Sequence, residues 1–261
     1  MNDQKMFCFV YDNTVFSHVQ KRIPERTLKA LHALKKQGDL VVMSTGRDLF
    51  DPSSAGYAGQ IGADAVVHCN GLKITVGDEI FYEHFFDEVL LENAFEYAEE
   101  HKIILGAVTP DAVYFTHDET LRDNEYFKYG LGRDFRPFRD VYGQKVHALC
   151  FLGEEPQIRQ LADACPGIHY YMFAGGSGAD VLDVDISKAD GIEQLLKHYG
   201  MQWKDVVAFG DSTNDIEMLR RAGVGVAMGN ATERVKKAAD VVTGDIEQDG
   251  LADAVFGRYL R

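Results

Sequence analysis

The sequence predicts an α/β fold, in which a doubly wound and mostly parallel sheet is interrupted by a second, smaller α+β domain. In both halves of the 261-residue chain, short apolar runs alternate with longer amphipathic stretches, as they do in a parallel sheet covered by helices. Between the halves this alternation is lost and aromatic residues become dense. We therefore expect residues 1–82 and 184–261 to form one core domain and residues 83–183 to form an inserted domain.

The first half of the core is predicted to contain three buried strands. The apolar runs of strand length are residues 6–11, 40–43 and 65–69. A helix lies between the first two runs, since Pro24 stands at its first turn and Gly38 follows its end. A hairpin follows the third strand, with its turn at Gly77 and Asp78.

The inserted domain and the second half of the core have their own predicted elements. In the insertion we expect strands at residues 146–152 and 168–173, a helix at 154–165 and a glycine-rich turn or hinge at 174–178. In the second half we expect helices at 188–199, at 214–222, from 231 and at the C-terminal end, and strands at 206–209, 224–227 and 241–242. One interrupted sheet explains the two alternating halves better than two tandem domains do.

The composition and net charge of the chain indicate which classes of binding partner to expect. Lys and Arg number 27 against 41 Asp and Glu, for a formal net charge of −14. Nucleic acid and anionic membranes attract clustered positive charge, so we expect neither as a partner, whereas a small anion needs only a few local cations. No apolar stretch has the length of a membrane span and no signal sequence is evident, which favours a cytoplasmic protein. The four cysteines form no CxxC pair and are interpreted as free thiols.

Four polar residues stand at the ends of predicted elements. Asp12 follows the first strand, Thr45 follows the second and Asp211 follows the strand at 206–209, while Lys188 opens the helix that re-enters the core. Ligands of open α/β sheets bind outside the carboxyl ends of the strands. A hydroxyl and an ammonium group donate to phosphate oxygens, and carboxylate oxygens bind Mg²⁺. The pattern therefore predicts a site for a phosphate with a divalent cation.

A GDxxND motif lies at the centre of this pattern. It spans residues 210–215 and directly follows an apolar strand. Asp211 and Asp215 are four residues apart, an arrangement suited to holding Mg²⁺ against a phosphate. The motif by itself is short, so the interpretation depends on the other residues that accompany it.

Six motifs together carry a resemblance to a known family. They are Asp12 with Thr14, Thr45-Gly46-Arg47, Asn70-Gly71, SKADG at 187–191, GDSTND at 210–215 and AMGNA at 227–231. With these motifs the chain resembles the haloacid dehalogenase-like (HAD) superfamily, and within it the Cof-type phosphatases. The resemblance covers the whole chain in order. It implies a HAD-like Rossmannoid core and an inserted α+β cap that closes over the core site and selects the substrate.

The resemblance also implies a mechanism through an aspartyl-phosphate. The second Asp of the first motif, here Asp12, acts as general acid and then base, and its main-chain carbonyl binds Mg²⁺. Thr45, Gly46, Lys188 and Asn214 are implied to bind the phosphoryl group, with Thr45 and Lys188 counted among the catalytic residues. The residues implied to hold the magnesium ion are Asp12, Asp211 and Asp215.

The first motif departs from the family pattern. Where the family has DxDGT, this chain has Val10-Tyr11-Asp12-Asn13-Thr14, so Val10 occupies the position of the nucleophile. Valine can neither attack phosphorus nor bind a metal. We therefore expect weakened Mg²⁺ binding and weak or altered phosphatase activity toward small phosphorylated metabolites, for example sugar phosphates. Asn13 replaces the family glycine, which is tolerable because asparagine enters left-handed backbone conformations readily.

Two alternatives remain open at this point. The first is a catalytically inactive pseudophosphatase that binds a phosphorylated ligand or a partner protein. The second is a shifted register in which Asp12 is the nucleophile and Thr14 takes the acid/base position, as in the P-type ATPases. This register loses the match of Thr14 and of the apolar pair Val15-Phe16. The sequence does not set the oligomeric state.

Overall fold

A computed structural model describes residues 4–49, 55–122, 133–173 and 175–260. These residues separate into two compact units. The first unit contains residues 4–49, 55–83 and 186–260, and the second contains residues 84–122, 133–173 and 175–185. The second unit begins one residue later and ends two residues later than the inserted domain expected over residues 83–183.

The first unit is built on an eight-stranded sheet. Its strands are β1 Met6–Val10, β2 Leu40–Ser44, β3 Ala65–His68, β4 Lys73–Val76, β5 Glu79–Glu83, β12 Val206–Gly210, β13 Val224–Ala227 and β14 Val241–Val242. The order across the sheet is β14-β13-β12-β1-β2-β3-β4-β5, parallel from β14 to β3 and antiparallel in the β3-β4-β5 meander. The predicted α/β class with a mostly parallel sheet is confirmed.

Helices cover both faces of this sheet. They are α1 Glu25–Lys36, α2 Ala55–Ile61, α6 Lys188–Tyr199, α7 Ile216–Arg221, α8 Glu233–Lys236 and α9 Gly250–Arg258. Because side chains alternate along a strand, β1 contributes to two separate cores. Phe7 and Phe9 belong to the core that includes residues of α1 and α9, whereas Cys8 and Val10 belong to the core that includes residues of α6 and α7. The side chain of Val10 is therefore on the same face of the sheet as the helix that begins at Lys188.

The second unit has a six-stranded sheet of its own. Its elements are α3 Glu88–Glu100, β6 Ile104–Val108, β7 Ala112–Phe115, α4 Glu119–Arg122, β8 Asp134–Arg136, β9 Leu149–Leu152, α5 Glu155–Ala164, β10 His169–Met172 and β11 Gly178–Leu182. The order is β10-β11-β9-β6-β7-β8, and only the β7-β8 pair is parallel. The core of this unit joins Phe95 of α3 and Leu161 of α5 to Phe151 of β9. No helix in the described ranges is long and apolar enough to cross a membrane.

Two predictions in the inserted domain were wrong. The strand expected over 146–152 begins only at Leu149, and the turn expected over 174–178 includes Gly178, which in fact begins β11. A Cβ atom at position 178 would lie 2.5 Å from the main-chain oxygen of Phe151. Gly178 therefore allows two strands to approach closely and is not a hinge. Ala174, part of the same predicted turn, lies outside the described residues.

Gly71 provides a test of how the core positions Lys188. It has φ +110°, and a Cβ atom there would lie 2.6 Å from the main-chain oxygen of Ser187, the residue before α6. We expect Gly71→Ala to lower the free energy of unfolding by more than about 2 kcal/mol, because both the backbone strain and the clash with α6 oppose folding. The measurement is urea denaturation.

Gly38→Ala is the matched control for this substitution. Gly38 has φ +94°, and no atom lies within 4 Å of its added Cβ. This variant should lose only about 1 kcal/mol, from backbone strain alone. Equal losses in the two variants would show that the contact between Gly71 and Ser187 does not matter.

Candidate active site

Four parallel strands end at one edge of the core sheet. β1 ends at Val10, β2 at Ser44, β3 at His68 and β12 at Gly210. The loops that follow them therefore meet at this edge, where open α/β sheets bind their ligands. Apart from Lys188, which begins α6, the residues predicted from sequence lie in these loops, and hydrogen bonds connect the loops to one another.

The loop after β1 is a tight turn that fixes Asp12 and Thr14. The N–H groups of Val15 and Phe16 both donate to the carbonyl oxygen of Tyr11. Asn13 has φ 55°, so the left-handed conformation expected at this position is confirmed. The buried hydroxyl of Thr14 donates to Oδ1 of Asp211 at 2.8 Å, which joins this loop to the one after β12.

The carboxylate of Asp12 is held by the guanidinium group of Arg47 and the imidazole ring of His18. Arg47 contacts both oxygens, with Nε 2.9 Å from Oδ2 and Nη2 2.9 Å from Oδ1, and Nε2 of His18 lies 2.7 Å from Oδ1. Burial raises the pKa of Asp12, but the hydrogen bonds from His18 and Arg47 and the charge of Arg47 outweigh it, so the pKa lies below its ordinary value. Asp12 is therefore an ionised carboxylate whose charge is already compensated.

Asp215 is the buried acceptor that organises the GDxxND loop. Its Oδ2 accepts hydrogen bonds from the main-chain N–H of Asp211 at 3.0 Å and of Ser212 at 2.8 Å. Its Oδ1 accepts from Nζ of Lys188 at 2.7 Å. A Cβ atom at Gly210 would lie 2.8 Å from the Cβ of Asp215, so the glycine of the motif makes room for this carboxylate.

Lys188 is buried at the first turn of α6. Its side chain is only 3% exposed, so Lys188 is not an ordinary surface lysine. A capping box fixes the start of the helix, in which Ser187 and Asp190 each accept a hydrogen bond from the backbone of the other. A cation at a helix N-terminus is unfavourable, and Asp215 offsets this cost with an opposite charge.

The remaining predicted residues, Thr45, Gly46 and Asn214, lie at the same edge of the sheet. The main-chain N–H of Asn70 donates to the carbonyl of Thr45, and Nδ2 of Asn214 donates to Oδ1 of Asn70 at 3.1 Å. The Thr45 hydroxyl accepts from the N–H of Arg47 at 3.0 Å. Gly46 lies in the bend between Thr45 and Arg47. Thr45 is therefore connected to Asn214 through Asn70, and to Asp12 through Arg47.

The structure thus places the seven residues predicted from sequence at the same edge of the sheet. Those residues are Asp12, Thr45, Gly46, Lys188, Asp211, Asn214 and Asp215. Their individual chemical roles stay predictions. His18 and Ser44 were missed. No motif signals His18, whereas Ser44 is a polar residue at the end of an apolar strand run and was open to detection by that criterion.

Asn230 belongs to the AMGNA motif, and the sequence alone is compatible with either a site residue or a helix cap at this position. The cap position of α8 is Thr232 instead. Nδ2 of Asn230 donates to the carbonyl of Asn13 at 2.9 Å, and its Oδ1 accepts from the N–H of Ile246 at 3.1 Å. Asn230 therefore supports the turn that carries Asp12.

The pKa of the Asp211 carboxyl group is raised above its ordinary value. Burial, and then the charge of Asp215, raise the pKa of Asp211 to about 7, against the hydrogen bond from Thr14 and the charge of Lys188. Two buried carboxylates in one loop resist full ionisation unless a cation or a proton is present.

The side chains offer an incomplete set of ligands for a divalent cation. Mg²⁺ prefers several oxygen ligands. Asp215 is occupied by Lys188 and two N–H groups, and Asp12 is occupied by Arg47 and His18. Within the described ranges, no three His, Cys, Asp or Glu side chains are grouped as they would be around a metal ion. Asp211 is therefore the one side-chain carboxylate left for a magnesium ion, beside the main-chain carbonyl of Asp12 that the resemblance implies, and this is a poor donor set for Mg²⁺.

The fold and the site together define the class of protein. The model of the haloacid dehalogenase-like hydrolase family matches residues 8–255, and the chain belongs to this family. The chain is 29% identical over 258 residues to "Putative phosphatase YkrA" of Bacillus subtilis, covering 97% of each sequence. It is 27% identical over 243 residues to the 5-amino-6-(5-phospho-D-ribitylamino)uracil phosphatase YitU of the same species, covering 89% of each.

A solved structure supports the same assignment. A sugar phosphatase of HAD subclass IIB superposes with a TM-score of 0.86 at 25% identity, covering 99% of this chain and 100% of the other. The predicted resemblance to Cof-type members of the superfamily is confirmed. The relatives and the solved neighbour are named as phosphatases, and the particular activity of this chain is considered below.

The pKa of Asp211 leads to a testable pH dependence. The folded protein binds this proton more tightly than the unfolded chain does, so ionisation of Asp211 opposes folding. In excess EDTA, the free energy of unfolding should contain a contribution that falls by up to about 1.4 kcal/mol per pH unit from about pH 4 to about pH 7 and then levels off. Urea denaturation across this range measures it.

Asp211→Asn should lack this contribution, whereas the surface control Asp78→Asn should retain it. The histidines also titrate in this range, so the informative quantity is the difference between wild type and Asp211→Asn. An identical pH profile for these two proteins would contradict the raised pKa.

Proposed function

We propose that this chain is a phosphatase-like protein that binds a small phosphorylated metabolite at the edge formed by Thr45, Lys188 and Asn214 and hydrolyses it only weakly. The observation that carries the proposal is the position of Val10. It is the last residue of β1, and its buried side chain shares a core with Ala189 and Ile192 of α6. An apolar side chain thus stands at the strand end on the face of the sheet where α6 brings in Lys188.

The proposed binding of a phosphate group depends on a positive charge and on hydrogen-bond donors at this edge of the sheet. Lys188 is a buried ammonium group of which one N–H is used by Asp215, and an ammonium group has three. Thr45 supplies a hydroxyl and Asn214 a side-chain amide at the same edge. Such groups bind phosphate oxygens strongly when they are shielded from water. The names of YitU and of the subclass IIB sugar phosphatase support a small phosphorylated metabolite, such as a sugar phosphate, as the ligand class.

The weak turnover follows from two residues. Val10 offers no atom that can form a covalent bond to phosphorus. The lowered pKa of Asp12 keeps its carboxyl group ionised at neutral pH, so it is a poor proton donor to a leaving group although it can still accept a proton. The site therefore retains the features that hold a phosphoryl group and lacks those that attack it.

The alternative in which Asp12 is the nucleophile is less well supported. Both carboxylate oxygens of Asp12 are engaged by Arg47, and one of them also by His18. Attack would require these contacts to break, at a cost in free energy. Thr14, which would be the acid/base group in that register, donates instead to Asp211. Magnesium, a cytoplasmic location and the individual site roles remain predictions of the sequence.

Substitution of Val10 tests the proposal directly. With p-nitrophenyl phosphate and glucose 6-phosphate as substrates in excess Mg²⁺, we expect Val10→Asp to raise kcat/KM at least about 100-fold over wild type, because it restores a nucleophile and a metal ligand. Val10→Asn is the matched control. It has nearly the same shape and should give no such increase.

Further variants distinguish the other outcomes. Fast wild-type turnover that Asp12→Asn abolishes would overturn the proposal in favour of Asp12 as nucleophile. Absence of turnover in wild type, with gain in Val10→Asp, would identify a pseudophosphatase with an otherwise intact site. Thermal unfolding of each variant is needed alongside, because Val10 is buried and a new carboxylate there opposes folding.

A further inference from the structure

A buried hydroxyl group beside Val10 has no hydrogen-bond partner. Ser44 is the last residue of β2 and is fully buried. Among the described residues, its Oγ is one of two buried side-chain polar atoms without a partner, and the other is Oδ1 of Asn214. Leaving a buried hydroxyl without a hydrogen bond destabilises the folded protein, so such a group normally has a ligand or a water molecule as its partner.

The position of Ser44 relates it to the candidate site. Ser44 is paired in register with Val10, and the two side chains lie on the face of the sheet that also contains Val42 and Cys8. Neighbouring strands are about 4.8 Å apart, so the hydroxyl is within reach of the space that a carboxylate at position 10 would occupy. Thr45 directly follows Ser44, and Asn214 is tied to Thr45 through Asn70. The orphaned hydroxyl of Ser44 therefore lies at the edge where the phosphate is proposed to bind, whereas the orphaned Oδ1 of Asn214 is an acceptor and is not one of the phosphate donors.

The charges at this edge are largely balanced within the protein. Lys188 compensates Asp215, and Arg47 compensates Asp12. Val10 adds no negative charge. Asp211 is the one carboxylate of the edge without an ion-pair partner among the described residues, and Thr14 donates to it. A divalent cation is normally required where several uncompensated carboxylates face a phosphate, and that condition is not met here.

We propose that this edge binds an oxyanion such as inorganic phosphate without a divalent cation, and that Ser44 Oγ is one of its donors. This inference rests on the proposed function, because it concerns the same site, and it adds how the ligand is held. The oxyanion lies beyond the side chain of Val10 at the end of β1, where Ser44 of the neighbouring strand donates a hydrogen bond to it. Lys188 supplies ammonium N–H groups that Asp215 does not use, and Thr45 supplies a second hydroxyl. A carboxylate at position 10 would repel the oxyanion and restore the need for a metal ion.

Calorimetric titration with inorganic phosphate tests the proposal on the full chain. Wild type should bind phosphate with the same affinity, within about twofold, in excess EDTA and in excess MgCl₂. Val10→Asp should bind phosphate at least about tenfold more tightly with Mg²⁺ than without it. Titration with Mg²⁺ alone should give heat of binding for Val10→Asp and none for wild type.

Ser44→Ala tests the role of the hydroxyl, with Ser17→Ala as matched control. Ser17 is also fully buried, but its hydroxyl is already bonded to Glu247 and to the N–H of Gln20. Ser44→Ala should weaken phosphate binding in EDTA about tenfold and leave thermal stability unchanged or raised, because it removes an unsatisfied group. Ser17→Ala should lower thermal stability and leave phosphate affinity unchanged. A merely structural role for Ser44 would give the opposite pattern.

The possible failures can be distinguished. Phosphate binding to wild type that requires Mg²⁺ would overturn this inference and leave the proposed phosphate site intact. No phosphate binding in either condition would overturn both. Unchanged affinity in Ser44→Ala would remove the hydroxyl from the proposal, which would then be wrong as stated.

Discussion

The buried ion pair between Lys188 and Asp215 is the interaction on which the rest of the site depends. Asp215 accepts hydrogen bonds from the N–H groups of Asp211 and Ser212, and these bonds shape the loop after β12. Lys188 donates to Asp215 and so connects α6 to that loop. Neither side chain has meaningful contact with solvent. Removing one partner from such a pair leaves a buried charge and costs about 3–5 kcal/mol. Gly210 leaves room for the Asp215 side chain, and the capping box of Ser187 and Asp190 fixes the helix start that carries Lys188.

A second constraint is the way in which charge is distributed around the pair. The charge of Asp12 is compensated by Arg47, His18 contacts the same carboxylate, and Val10 contributes no charge at the end of β1. In the proposed function, holding a phosphoryl group and attacking it depend on different residues. The proposed donors for binding are Thr45 after β2, Lys188 of α6 and Asn214 after β12, whereas the position of the family nucleophile is occupied by Val10 of β1.

Sequence predicted the core of the fold well because its signals are local. The helix at 188–199 and the strand at 224–227 were predicted with the observed bounds, since amphipathic periodicity and flanking caps mark them. In the inserted domain, β6, β7, β8 and β11 were not predicted. These strands are short and pair in an antiparallel sheet whose register depends on distant partners. Gly178 shows the difficulty, because a glycine needed for close strand packing looks in sequence like a turn.

The sequence by itself determined the fold class, the family motifs and the valine at position 10, because these depend on residue type and spacing alone. Only the tertiary structure decided what each polar group contacts. His18 and Arg47 reach Asp12 from 6 and 35 residues away, and the orphaned hydroxyl of Ser44 is recognisable only when its surroundings are known. Hydrogen bonding and burial depend on distances of a few tenths of an ångström between segments remote in sequence, and no local pattern encodes them.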